Sequence, residues 1–139
     1  MGHSYSDSDT GIAALSAALK QSDSQTVEIA EGALGDIGLK SKTAVPALIK
    51  LVSAGTDING VWALGQIGPD ARAALPVLES KMRQETGRER VYAAGAVWAI
   101  EGENSEAKEV VEKALEDPDK HIRIDANNVL VQHPEIGSR

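Results

Sequence analysis

The chain has no cysteine and no phenylalanine, and only two tryptophans and two tyrosines in 139 residues. Without thiols it can form no disulfide, no thiolate nucleophile and no cysteine metal site, and cysteine usage carries no compartment signal. A core without phenylalanine has to be assembled from aliphatic residues and alanine, whose small side chains let helices approach closely. Long apolar runs are missing too: none reaches the roughly 18 residues of a membrane-spanning helix. The N-terminus "MGHSYSDSDT" has neither the basic nor the apolar segment of an export signal. These absences lead us to expect a soluble, cytoplasmic protein with no membrane partner. Cationic charge is also short, with 14 Lys and Arg against 21 Asp and Glu and a formal net charge of −7. Neutralisation of phosphates by Lys and Arg supplies most nucleic-acid affinity, so no nucleic-acid partner is expected.

What is present is ordinary in amount and unusual in arrangement. Apolar residues make up 42% and charged residues 25% of the chain, a composition suited to one globular domain. Apolar residues fall at helical spacing in "IAALSAALK", "TAVPALIKLV", "AALPVLESKM" and "VVEKALED". A second kind of segment lies between and after them: residues 27–38, 57–68, 93–102 and 122–132. Each carries a small residue followed four later by an aliphatic one: Ala30/Leu34, Gly60/Leu64, Ala96/Ile100 and Ala126/Leu130. The aliphatic positions are separated by 30, 36 and 30 residues, a period typical of units that stack to share a core. The chain is therefore read as all-α, built from repeated helix pairs.

"ALGDIG" from Ala33 and "ALGQIG" from Ala63 raise the question of a phosphate loop. A dinucleotide fingerprint needs a strand before it and a helix after it, whereas here the preceding segment is helical. Gly38 and Gly68 are better read as helix stops, following the last apolar residues Ile37 and Ile67. Gly35 and Gly65, one turn earlier, leave room for a neighbouring helix. Pro46 and Pro76 occupy the same repeat position, and a bend in two first helices is expected there.

The runs "ALGDIGLKSKTAVPALIKLV" and "WALGQIGPDARAALPVLE" resemble HEAT-like repeats of the type also found in phycobilisome lyases. The resemblance covers about residues 10–132. It implies a right-handed α-solenoid of about four stacked antiparallel helix pairs, with units near 10–38, 39–68, 69–102 and 103–132. Residues 1–9 are read as a disordered tail or tag and 133–139 as a C-terminal tail. The third and fourth units depart from the pattern: Glu101-Gly102 replaces the glycine phrase and Glu112 stands where a proline is expected. The family's arginine early in the second helix is matched only by Arg123, against Val27, Asp57 and Ala93 elsewhere. The last helix bears Asp125, Asn127 and Asn128, which is cap-like, and Pro134 ends its pattern, so a complete small solenoid is expected.

In such a solenoid the second helices line the concave side. Trp62 and Trp98 share one repeat position there, with Ile58 and Ile124 a turn earlier in their own helices. Two readings stay open: an apolar anchor for a partner, or packing between units. Glu28, Glu31, Gln66, Glu101 and Asn128 make the surroundings acidic or polar, which suits a protein or peptide with basic and apolar residues, or simply solvates the face. No catalytic, cofactor or metal constellation emerges. His3, His121 and His133 make no ligand set, Asp117, Asp119 and Asp125 lack the pattern of a calcium loop, and His121 with Asp125 reads as an i,i+4 surface pair. Asp117-Pro118 reads as the N-cap and first position of the last helix, and "GRER" as the start of the third second-type helix.

The expected function is a non-enzymatic scaffold binding a protein or peptide segment on the concave face. The resemblance also implies an alternative, a lyase-like accessory that handles a tetrapyrrole and a phycobiliprotein. A third implied function is a DNA-alkyl-base glycosylase of HEAT-like build, which would need a basic groove.

Overall fold

The computed structural model describes residues 9–21, 23–55, 57–84 and 87–137. Among these every regular element is helical and no strand occurs, as the periodicity predicts. The helices are α1 (Asp9–Ala18), α2 (Ser24–Ile37), α3 (Val45–Ala54), α4 (Ile58–Ile67), α5 (Leu75–Gln84), α6 (Arg88–Glu101), α7 (Ser105–Ala114), α8 (Lys120–Gln132) and α9 (Pro134–Gly137). Short 3₁₀ segments, Gly38–Ala44 and Gly68–Ala74, join α2 to α3 and α4 to α5. Residues 1–8, most of the expected N-terminal tail, lie outside the described residues.

Short polar side chains set the helix starts by accepting backbone N–H groups that have no partner within the helix. Asp23 accepts from Gln25 at 3.1 Å, Asp57 from Gly60 at 3.0 Å and Asn104 from Ala107 at 2.8 Å. The expected cap at Asp117 is corrected: Asp119 caps α8, accepting from His121 at 2.9 Å. Asp117 instead accepts from the N–H of Asp119 at 2.8 Å, making a turn that carries the chain into the cap. The helix ends match expectation. Gly38 (φ 68°, ψ −123°) and Gly68 (φ 79°, ψ −143°) occupy a region that only glycine enters readily, and their N–H groups donate to Leu34 and Leu64.

The bend expected at the prolines is found elsewhere. Pro46 and Pro76 each stand second in their α-helices, where a missing N–H goes unnoticed. The change of direction falls earlier, at Ser41 (φ −89°, ψ 16°) and Ala71 (φ −93°, ψ 20°), inside the 3₁₀ segments. Ser41 Oγ donates to the Leu34 carbonyl at 2.9 Å and so satisfies its own buried hydroxyl.

Burial repeats with the sequence. Leu34 and Leu64, Ala44 and Ala74, Leu48 and Leu78, and Val52 and Met82 stand thirty residues apart, and all are fully buried. Helix contacts follow the same order. Helices adjacent in the sequence pack together, α1 on α2, α3 on α4, α5 on α6 and α7 on α8. The second helices touch in series, α2 to α4, α4 to α6 and α6 to α8. Glycines sit at these crossings. A Cβ on Gly65 would lie 3.1 Å from Ala96 Cα, and one on Gly95 would lie 3.0 Å from Val129 Cγ1. A Cβ on Gly35 would collide with the six-membered ring of Trp62.

The segment read as a C-terminal tail is partly corrected. Pro134–Gly137 is a helical turn against α7 and α8, with Ile136 fully buried. An aliphatic side chain four residues past α8 covers apolar surface that the polar end of the sequence pattern did not advertise.

Gly65→Val is expected to lose roughly 1–3 kcal/mol by overpacking the α4–α6 crossing, measured as a shift in urea midpoint. Gly32→Ala is the control, because nothing lies within 4 Å of its Cβ position. It should be neutral or stabilising by up to about 1 kcal/mol. Equal behaviour of the two would rule out a tight crossing.

Candidate functional site

Three second helices present one stripe each to a common groove. On α4, Ile58, Trp62 and Gln66 follow one another at four-residue spacing, and on α8 Ile124, Asn128 and Val131 keep to one face. Between them α6 offers Tyr92 and then the small residues Gly95 and Ala96. The resulting groove, about 330 Å³ and open to solvent, is walled by Ile58, Trp62, Tyr92, Asn128 and Val131. At its end Gln66 Nε2 donates to Gln132 Oε1 at 3.1 Å, so side chains of α4 and α8 meet over α6. That closure is possible because Gly65, Gly95 and Ala96 leave the floor low.

The expected site residues separate into three groups. Ile58, Trp62 and Asn128 come together in the groove, with Gln66 at its end and Ile124 51% exposed one turn along α8. Trp98 does not join them. It is only 8% exposed and its Nε1 donates to Glu135 at 3.0 Å, so it packs α6 against the chain end while Trp62 lies over Gly35 on α2. The two tryptophans share a repeat position yet take different partners, because α6 is followed by α8 and α9 whereas α4 lies between α2 and α6. Glu101 is exposed and accepts from Asn104 at 2.9 Å, tying the turn into α7.

Glu28 and Glu31 lie apart, between α2, α3 and the start of α4. Glu28 is exposed, but Glu31 is only 1% exposed, which corrects its assignment to an open acidic face. Burial, the adjoining Asp57 and the charge of Glu28 push its pKa up to about 9, so Glu31 holds a proton at neutral pH.

Asp125 is a further correction. Instead of an exposed cap residue paired with His121, it is fully buried. Arg88 reaches it from α6 with two bonds, Nε at 2.7 Å and Nη2 at 3.1 Å, and Tyr92 Oη donates at 3.0 Å. The carboxylate holds the Arg88 guanidinium more firmly protonated, and burial raises the Tyr92 phenol. An Arg–Asp link between neighbouring second helices thus exists, carried by Arg88. Arg123 instead donates to the Asp117 carbonyl at 2.7 Å and the Pro118 carbonyl at 3.0 Å.

Sequence reasoning missed Tyr92, Val131 and Ile29. Val131 was detectable, since it extends the 124/128 stripe at helical spacing. Tyr92 was not, because the corresponding places in the other units hold Thr26, Thr56 and Ile122. Among the described residues no group of three His, Asp or Glu side chains is placed to hold a metal ion, and no helix is long and apolar enough to cross a membrane. No protein-family model, curated protein or solved structure matches the chain.

Two measurements check this arrangement. Trp98→Ala is expected to lose about 3–5 kcal/mol, the range for a buried aromatic, in denaturant unfolding; a loss below about 1 kcal/mol would mean that the indole is not buried. Because the Glu31 pKa is raised on folding, its stabilising contribution is complete below pH 4.5 and is lost as pH rises towards 9. Glu31→Gln, which stays neutral, should therefore melt above the parent at pH 8.5 and close to it at pH 5. Parallel melting curves at both values would show an ordinary carboxylate.

Proposed function

We propose that the chain is a HEAT-like helical-repeat solenoid of stacked helix pairs that binds a polypeptide segment along its second helices. The observation that carries this reading is where the exposed apolar residues lie. Among the described residues the large exposed hydrophobics are Ile29 (65%), Ile124 (51%) and Val131 (78%), all on α2 or α8. The first helices present no such side chain. Isolated exposed aliphatics need no explanation, but Val131 borders a groove that also holds half-buried Ile58, Trp62 and Tyr92.

The groove's chemistry suits a segment with an apolar anchor. Trp62 and Tyr92 offer large rigid faces at small cost in side-chain entropy, and Asn59, Asn128 and Gln132 supply amide donors and acceptors to its backbone. A net charge of −7 favours a partner bearing lysine or arginine. In HEAT-like solenoids the row of second helices is the concave side, the surface such folds use for extended partners. The serial contacts α2–α4–α6–α8 and the repeated thirty-residue burial pairs support that arrangement.

Selection of displayed peptides against the immobilised chain tests the reading. Enriched peptides should carry an aromatic or aliphatic residue flanked by Lys or Arg, and should change Trp62 fluorescence, measured in a Trp98→Phe background. Ile58→Asp and Val131→Asp should each weaken binding about tenfold or more while leaving the melting temperature nearly unchanged. Binding indifferent to both substitutions would reject this groove as the site.

A further inference from the structure

The starts of α4 and α6 face the same electrostatic problem and meet it differently. At the α4–α6 step the buried carboxylate is Glu89, which accepts from the Asp57 N–H at 2.8 Å and from Lys81 Nζ at 3.3 Å. Lys81, on α5, also donates to the Gly55 carbonyl at 3.0 Å. The acid is thus supplied with a cation from within the chain. At the α2–α4 step the buried acid is Glu31, and the position thirty residues before Lys81 is Leu51. Among the described residues no cation pairs with it: Glu31 Oε2 is buried and no donor group reaches it. Its neighbour is another carboxyl: a Cβ on Gly60 would lie 2.7 Å from Asp57 Oδ2 and 2.9 Å from Glu31 Oε2, so the absent side chain keeps both acids in one space.

That space opens outward. Glu31 and Asp57 line a groove of about 400 Å³ that opens to solvent, with Glu28 and the backbone of Gly55 beside them and Val27, Leu51 and Ala54 as apolar wall. Lys50 of α3 lines the adjoining groove, on the far side of Leu51 and Ala54. A buried acid without a cation, a second acid beside it and an aliphatic wall match the parts of a lysine side chain, whose ammonium wants carboxylates and whose methylene stem wants apolar contact.

We propose that this groove receives the ammonium of a lysine from the partner polypeptide, completing at the α2–α4 step the contact that Lys81 makes internally at the α4–α6 step. In the free protein a proton takes the cation's place on Glu31. Binding exchanges one for the other: the ammonium enters, Glu31 ionises and its proton leaves to solvent. The groups facing Glu31 are Glu28 on α2 and Asp57 at the start of α4, both acidic, while α3 contributes only Leu51 and Ala54 to this groove. Lys81 of α5 is the cation at the groove wall, on the Gly55 carbonyl, and Glu89 holds it there.

This inference rests on the polypeptide-binding reading, and its test is separable from that reading. The probe is n-butylammonium chloride, titrated at pH 7.5 with the Glu31 side-chain carboxyl followed by carbon-13 NMR. A saturable shift of that resonance into the ionised range is expected, with one proton released per amine bound. Sodium chloride and tetramethylammonium chloride at the same ionic strength should not produce it, since neither has an N–H donor. Glu31→Gln should weaken amine binding about tenfold or more, and Leu51→Lys should ionise Glu31 without added amine and abolish the response. The idea is overturned if sodium acts as n-butylammonium does, if Glu31→Gln binds amine normally, or if calcium chloride takes the site more tightly than the amine. Should Leu51→Lys fail to fold, the parent and Glu31→Gln titrations still decide. A peptide that alters Trp62 fluorescence but leaves Glu31 protonated would sink this proposal alone, leaving the α4–α6–α8 groove intact.

Discussion

Close approach of the second helices is the constraint on which the rest of this molecule depends. Helices of this length are marginal alone, so their stability has to come from packing an apolar face on neighbours. The chain meets that need with small residues at each crossing: Gly35 beneath Trp62, Gly65 against Ala96 and Gly95 against Val129. Each glycine gives up helix propensity, about 1 kcal/mol relative to alanine, in return for a short interhelical distance. The fully buried leucines and Met82 then fill the space between first and second helices, without any phenylalanine.

The same crossings shape the candidate groove. Because α6 carries the small buried residues Gly95 and Ala96 beneath the groove, α4 and α8 can exchange a hydrogen bond across it through Gln66 and Gln132. The aromatic residues above that floor gain one supported face and keep another open. Trp98 lacks such an opening, since α8 and the short α9 close over it and Glu135 takes its N–H. Trp62 and Trp98, which stand in similar sequence phrases, therefore end as a groove residue and a packing residue.

Charge is organised along the starts of the second helices. Asp57, Glu89 and Lys81 form a connected set, and Arg88 with Tyr92 secures Asp125 between α6 and α8. Buried carboxyls are tolerated where a donor is supplied, and the two supplied cases rigidify the contact between neighbouring second helices. Glu31 is the exception: among the described residues no donor reaches its buried Oε2, it keeps its proton, and it lines an open groove.

The sequence by itself determined the helical class, the period of burial and the helix ends at Gly38 and Gly68. These are local matters: an apolar residue every three or four positions and a glycine after the last of them act through the chain's own geometry. It also brought Ile58, Trp62 and Asn128 under suspicion through their repeat positions. Only the tertiary structure decided that Trp98 is buried, that Glu31 and Asp125 are interior acids, that Asp119 rather than Asp117 caps α8, and that Tyr92 and Val131 complete a groove. Most of those outcomes depend on which residues a neighbouring helix brings within a few ångströms: Glu135 for Trp98, Asp57 for Glu31, Arg88 for Asp125. Distances of that kind follow from how the helices cross, and a one-dimensional pattern of small and aliphatic residues requires a close crossing without specifying its partners.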